Sequence, residues 1–377
     1  MPSVASVVKE GKSEIGRAMY NPKEHLKRLV ETHAPSGYEA PVAELLREEW
    51  AELVDDFEGD RLGSLIGVKR GTQSAEPARK IMLAAHMDEI ALMVRGIEDG
   101  FIYTHRVSGI DSRVMLAQTI LVHGRRVLPG VVATKPPHLQ TSADRKRYPP
   151  VGDLVVDVGL PAAEVEELVS IGDLITVEGP MMDLMGRKVA AKAMDDRACI
   201  AVITTCLHVL RGMRHSWDVY AAATVQEEVG LRGATTAANH IEPDCAIALD
   251  VGFAEQPGVS TGAGKLGEGP QLGIGANFHP RMVQRLQDIA AYYEIKWQSD
   301  IMPARSGTDA WAIQVSRAGI PTALLSIPLR NMHSPVETLD LKDIERCGRL
   351  LAHFISALDE DFVDYLSLMP EVNQAEA

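Results

Sequence analysis

The sequence predicts an α/β fold: a mixed, largely parallel sheet flanked by helices, with a small β-barrel domain inserted into it. Three features of the 377 residues lead there. Apolar runs of strand length (residues 81–85, DVYAAATV, DCAIAL and IPTALLSIPL) alternate with stretches of helical apolar spacing, the rhythm of parallel strands joined by crossover helices. Between about residues 93 and 186 this rhythm gives way to short β-type segments punctuated by Gly and Pro, the texture of a small barrel or sandwich. Each apolar run also ends at or near an imidazole or a carboxylate, on the edge where open α/β sheets place their sites.

Composition bounds the function classes. Apolar residues make up 46% and charged residues 24% of the chain, close to an average globular protein. Asp and Glu outnumber Lys and Arg by 52 to 38, for a formal charge of −14, which argues against a nucleic-acid partner. Cys199, Cys206, Cys245 and Cys347 form no C-x-x-C pair, so a reducing compartment and no disulfide framework are expected. The N-terminus has no secretory apolar segment, and no uninterrupted apolar stretch reaches the ~18 residues of a membrane span. The protein is expected to be soluble and cytoplasmic, with no membrane partner.

In chain order, residues 1–20 read as a loosely held extension. Helices are expected from Pro22 through HLKRLVETH and over PVAELLREEWAEL, separated by the turn APSGYEA. VDDFEGDRLGSLIGVKRG reads as two short strands around a glycine turn, and the strand ending at His86 follows a polar loop. The β-rich insert is placed at 91–186, with strands in FIYTHRV, TILVHGRRVLPGVVAT, DLVVDVGL and DLITVEG, one helix at PAAEVEELV, and a long loop through SADRKRYPP. Residues 21–90 and 187–367 form the discontinuous main domain. Its second part holds helices over AKAMDDRACIAVITTCLHVLRG, RMVQRLQDIAAYYEI, SGTDAWAIQVSRAG and LKDIERCGRLLAHFISAL, with GLRGATTAANH opening another. TGAGKLGEG lacks the order of a phosphate loop, and 368–377 is expected to be a flexible tail.

The candidate site is read from residue types. An extended backbone puts residues two apart on one face, so His86 and Asp88 point the same way. A neutral imidazole ligates metal, and a carboxylate beside it fixes its tautomer. Glu227 and Glu228 follow DVYAAATV, Asp250 ends DCAIAL, His333 follows IPTALLSIPL, and Asp195 and Asp196 stand where a long helix begins. Singly, each has a plain alternative: a solvated turn for Glu227 and Glu228, a helix cap for the Asp pair, a satisfied loop histidine for His333. Five such placements together point to metal. Two histidines among carboxylates favour Zn²⁺, Co²⁺ or Mn²⁺ over the all-oxygen preference of Ca²⁺. The donors outnumber the needs of one tetrahedral ion, so two divalent ions sharing a carboxylate fit better, at the ~3.5–4 Å spacing of two-metal hydrolases. The pair Glu227–Glu228 then divides into a base and a ligand. Arg305, Ser306, Thr308 and Asp309 lie in a loop that could line a substrate pocket, with capping by Ser306 or Thr308 as the alternative.

HMDEIAL, AMDDR, QEEVGLRGA, ALDVG, SGTDA and MHSP, in this order, resemble the dinuclear zinc or cobalt aminopeptidases that include the tetrahedral (TET) aminopeptidases and bacterial glutamyl aminopeptidases, some of which carry an endoglucanase label. The resemblance spans about residues 24 to 358; its motifs are specific as a set, not singly. It implies a zinc-peptidase-type fold, removal of N-terminal residues from peptides with a free N-terminus, and two divalent ions per subunit. By motif position it implies that His86 and Asp250 bind one metal, Glu228 and His333 the other, and that Asp195 bridges. Asp88 would hydrogen-bond His86, Glu227 would be the general base, and the Asp195–Asp196 peptide bond would be cis. It further implies that the β-rich insert mediates homodimer contacts, with dimers joining into dodecamers.

Two positions depart from the family pattern: Ala91, where a glycine usually follows HMDEI, and the pair Ala198 and Cys199, where a glycine is common after DDR. Both are small changes that remove no ligand. Two rival readings remain. A glycosidase also needs paired carboxylates, but it leaves the histidines unexplained. A non-catalytic metal-binding scaffold need not keep Glu227 beside Glu228.

Overall fold

Eight strands form the central sheet of the computed structural model, which describes residues 20–72, 78–259 and 262–368. They are β1 (Asp56–Gly59), β2 (Leu65–Lys69), β3 (Lys80–His86), β4 (Asp218–Thr224), β5 (Cys245–Phe253), β6 (Gln271–Ile274), β7 (Gln298–Ile301) and β8 (Thr322–Leu329). Their order is β1-β2-β4-β3-β5-β8-β6-β7. The four central strands β4, β3, β5 and β8 are parallel. β1 and β2 add antiparallel neighbours on one side; β6 lies antiparallel to β8 and parallel to β7 on the other. The parallel strands are the ones with unbroken apolar runs, as burial on both faces requires: every residue of β4 and β8 is buried.

Two separate helix groups supply that burial. α3 (Met194–Leu210) lies on β3 and β5 and packs against α1 (Pro22–Glu31) and α7 (Leu341–Ser356). α4 (Arg232–Ile241) and α6 (Asp309–Gln314) pack on each other and on the central strands. α2 (Ala40–Trp50) rests on β2, and α5 (Pro280–Tyr292) on α7 and β6. The starts of α1 and α7 are fixed locally: Asn21 and Asp340 accept from the main-chain N–H two residues on, and Pro22 opens α1.

The expected insert is a closed antiparallel barrel of six strands, Ala91–Glu98, Phe101–Val107, Val155–Asp157, Val127–Ala133, Thr119–His123 and Leu174–Val177, in that order around the ring. Closure removes exposed sheet edges. The barrel has its own core, including Leu92, Ile102, Ile120, Val122, Val156 and Ile175. A three-stranded sheet of Met182–Asp183, Lys188–Ala191 and Glu337–Asp340 ties the chain leaving the barrel to the segment after His333.

The structure differs from the sequence reading in detail. β6 was unforeseen, because only four residues, QLGI, pair between Gly-rich loops. The helix expected over SGTDAWAIQVSRAG is only Asp309–Gln314, since Gly307 and Arg317 take left-handed φ values of 71° and 56°. β5 runs on to Phe253, which places Asp250 within the strand rather than at its end. The four cysteines are buried and free. No described helix is long and apolar enough to cross a membrane. The expected extension and tail fall, but for Tyr20 and Leu368, outside the described residues.

One buried ionic group ties α1, β3 and α3 together. Arg197, fully buried, donates to the main-chain oxygens of Leu29, Thr32, Ala34 and Met87. Its guanidinium also lies 3.4 Å from Glu89, whose other oxygen accepts from buried Lys192 at 2.6 Å. A planar fork with five N–H donors suits this set of acceptors, and lysine does not. Arg197→Leu is expected to cost about 3–5 kcal/mol, because it strands the carbonyls and half-unpairs Glu89. A urea denaturation curve measures this; an unchanged midpoint would refute the role given to Arg197.

Candidate metal centre

The site lies at the carboxyl edge of the parallel strands. His86 ends β3, Asp250 lies in β5, Glu227 and Glu228 follow β4, and His333 follows β8. Asp195 and Asp196 open α3 with non-helical backbone angles and a cis peptide bond between them, as the resemblance implied. Ala193, Gln226, Leu231 and His333 adopt left-handed φ values of 55° to 59°. Non-glycine residues hold that conformation only where the surroundings impose it, which is common at sites.

Asp195 stands between the two imidazoles. Its Oδ1 is 3.2 Å from His86 Nε2, and its Oδ2 is 3.3 Å from His333 Nε2. Glu228 Oε1 is 3.5 Å from the same His333 nitrogen, and Glu227 Oε2 is 3.8 Å from His86 Nε2. Two groups of donor atoms fall within 4.8 Å of one another: His86 with Asp195 and Glu228, and His86 with Asp196 and Asp250. Asp196 was not among the expected ligands; it is fully buried, and neither oxygen has a hydrogen-bond partner among the described residues.

Neighbouring groups hold these donors in place. Asp88 does more than hydrogen-bond His86. The nearest acceptor of His86 Nδ1 is the Asp88 main-chain oxygen at 3.1 Å, with the carboxylate at 3.4 Å. That carboxylate accepts from the main-chain N–H groups of Glu227 (3.0 Å) and Glu228 (3.2 Å) and from Ser36 Oγ (2.6 Å). Glu337 accepts from the main-chain N–H of Asp195 at 3.1 Å and of His333 at 2.7 Å. The barrel contributes too: Ser108 Oγ donates to Glu228 at 2.6 Å, and Gly109 O accepts from His333 Nδ1 at 3.0 Å. A Cβ on Gly109 would lie 2.9 Å from that nitrogen, so only glycine admits the ring. Cys199, one of the departures, sits behind the site and donates Sγ–H to Asp250 O at 3.0 Å, while Ala91 opens the barrel's first strand.

The electrostatics show a surplus of acid. Burial, reinforced by Asp195, pushes Asp250 well above the ordinary carboxylate range; burial and Asp250 do the same to Asp196. Burial, only partly offset by His86, lifts Glu227 to about 11, and burial with Asp195 lifts Glu228 to about 7. Burial would also raise Asp195, but hydrogen bonds from His333 and His86 hold it low. The same bond from Asp195 raises His333 to about 9. Buried carboxylates are stable when paired or when coordinating a cation. Five of them face two imidazoles, and Glu228 Oε1 is buried without a hydrogen-bond partner among the described residues. This donor set fits divalent metal ions.

An open cleft of about 870 Å³ reaches the cluster. Arg305, Ser306 and Thr308 line it, but Asp309 does not: it is buried and accepts from Thr224 Oγ1 at 2.7 Å. Thr308 precedes α6 without a side-chain capping bond, and its hydroxyl donates to Ser306 Oγ. Sequence reasoning put Asp196 at the site without a ligand role and missed Glu337, Ser36, Ser108 and Gly109. Glu337, four residues after His333, carried a signal as one more acid beside the motif. The serines and Gly109 carried none, because their importance comes from contacts made far along the chain.

A sheet with a histidine–carboxylate cluster at its carboxyl edge and a barrel packed beside it is an architecture this chain shares with solved aminopeptidases. The chain belongs to the M42 glutamyl aminopeptidase family, whose model matches residues 63–350. It is 35% identical over 347 residues to the lysyl aminopeptidase of Pyrococcus furiosus, covering 89% of this chain and 97% of the relative. An aminopeptidase from the archaeon Desulfurococcus kamchatkensis superposes with a TM-score of 0.86 at 36% identity, covering 92% of this chain and 98% of that one. The TET1 peptidase of Pyrococcus horikoshii, which can assemble into a tetrahedron or a large octahedral shell, superposes with a TM-score of 0.79 at 32% identity, covering 90% and 100%.

The raised acids set a pH dependence. Glu228 rises from 4.5 to about 7, and Asp309, mainly through burial, from 3.8 to about 6, so the fold keeps protons that the unfolded chain has lost. His333, raised from 6.5 to about 9, acts in the same direction. Buried His25 and half-buried His33 and His208, lowered to between about 3 and 4, act the other way up to about pH 6.5, so the metal-free protein is expected to lose stability as pH rises from about 6.5 to 9. Saturating Zn²⁺ should flatten that slope. Melting temperatures across this range, with and without metal, check both statements; a metal-free protein that gains stability with rising pH would contradict them.

Proposed function

We propose that the protein is a metal-dependent aminopeptidase that removes N-terminal residues from peptides at a two-metal site, with Glu227 as general base. The observation that carries this reading is the division of Asp195, one oxygen toward His86 and the other toward His333. It supports His86 and Asp250 as ligands of one ion, Glu228 and His333 of the other, and Asp195 as the bridge. The closeness of Asp196 to His86 and Asp250 supports a supporting place for it at the first ion. Zinc or cobalt suits the donors best, with manganese as the alternative. Such ions, when bound, lower the pKa of water and polarise a peptide carbonyl.

The chain's own residues do the rest. The burial that raises the Glu227 carboxyl would be offset by cations bound beside it; ionised, Glu227 lines the cleft beside His86 and accepts the proton of the attacking water, then delivers it to the leaving amine nitrogen. Asp88 fixes Glu227 and Glu228 through their main-chain N–H groups, so base and ligand keep their separate directions. The acidic cleft suits a substrate that brings a free ammonium group. The relatives' names, lysyl and glutamyl, differ in the residue removed, so the preferred side chain is not inherited from them. The four free buried cysteines support a cytoplasmic location. We assign homodimer contacts to the barrel, with larger shells of the kind the TET1 peptidase forms built from such dimers.

The test is turnover of aminoacyl p-nitroanilides by metal-stripped protein, then with Zn²⁺, Co²⁺ or Mn²⁺ restored. Activity that returns only with metal, and only on free N-termini, is expected; hydrolysis of a glycoside that survives EDTA would favour the carboxylate-pair glycosidase instead. Glu227→Gln should keep the metals and lose about 10²- to 10⁴-fold in kcat. Asp195→Ala should fall below two ions per chain by metal analysis, and two retained ions would remove it from the bridge.

A further inference from the structure

We propose that Asp300 makes this enzyme select peptides whose N-terminal residue is lysine or arginine. The inference rests on the aminopeptidase reading and names the substrate class of that same cleft. Asp300 lies on the edge strand β7, and with Met302, two residues on and on the same face, it lines the cleft that holds Glu227 and Asp250. Its side chain is half-buried and has neither a hydrogen-bond nor an ion-pair partner among the described residues. Burial, with no cation to offset it, raises the Asp300 carboxyl above its ordinary value. Leu231, Phe253, Met302 and Trp311 give the same cleft apolar surface.

Apolar surface with one unpaired acid is the complement of a long aliphatic stem that ends in a cation. Lysine and arginine side chains bury such stems and would supply the missing counter-charge. A leucine would cover the apolar surface and leave Asp300 unpaired, and a glutamate would add a second anion. The other ionic candidate in the cleft is Arg305, which would favour an acidic side chain. Arg305 is exposed, and its guanidinium already rests over the Trp311 ring, 5.3 Å from the centroid. Its charge is thus partly engaged by the aromatic face and by water. The unmet electrostatic demand is at Asp300.

The experiment compares kcat/KM of the metal-loaded enzyme on lysyl, arginyl, leucyl and glutamyl p-nitroanilides, in wild type and in Asp300→Asn. Wild type is expected to favour the two basic substrates over the leucyl one by about 10- to 100-fold, the span of one charge-assisted contact. Asp300→Asn should bring the lysyl-to-leucyl ratio close to one, chiefly through KM, with metal content and melting temperature as controls for folding. Asp300→Glu should keep the ordering. A wild-type preference for glutamyl substrate that disappears in Arg305→Met overturns the proposal, as does a basic preference that survives Asp300→Asn. Should Asp300→Asn fail to fold, Asp300→Ser carries the same comparison. Turnover without basic preference refutes this inference and leaves the aminopeptidase reading intact; no turnover of any substrate with any metal refutes both.

Discussion

Asp195, Asp196, Glu227, Glu228 and Asp250 are buried or nearly so around two imidazoles, and much of what is unusual in this molecule answers the resulting repulsion. A compact state that gathers like charges is unstable unless something fixes the charges against leaving. Here the backbone does so. Left-handed residues at Ala193, Gln226, Leu231 and His333 turn the chain ends of four elements inward. Asp88 grips the Glu227–Glu228 segment, and Glu337 the segments of Asp195 and His333, through main-chain N–H groups rather than through the candidate ligands' side chains. The donor oxygens thus stay free for a cation while the peptide units that carry them are held.

The sheet and its helices form a stiff platform beneath this arrangement. β3, β4 and β5 are apolar on both faces, so they cannot shift relative to one another without exposing core. The Arg197–Glu89–Lys192 group links α1, the segment after β3 and the start of α3 across the same region. It joins the chain on both sides of the site, at Met87 and at Arg197 itself, two residues from Asp195.

Much of the architecture was legible in the sequence because period and burial agree there. The four unbroken apolar runs announced the parallel centre, and the Gly- and Pro-punctuated stretch announced the barrel. The strand-end acids and histidines announced where the site would lie. What was not legible was set by distant contacts. β6 is too short and too Gly-flanked to show a period. Asp309 looked like a pocket residue because it follows Arg305, Ser306 and Thr308, yet the turn at Gly307 sends it into the core against Thr224. Asp196 was hidden by its neighbour: in a regular helix start the two carboxylates would diverge, and the non-helical backbone brings both to His86.

The contact between Gly109 and His333 has a further consequence. His333 is oriented by a main-chain oxygen that belongs to the barrel, and Glu228 receives a hydroxyl from the same loop. The two halves of the site therefore rest on different parts of the fold. The His86 side is held by the parallel sheet and its helices, whereas the His333 side also takes contacts from a second, separately cored body. The geometry of His333 and Glu228 is thus tied to the seating of the barrel, and a change in the barrel loop reaches the site without touching the sheet.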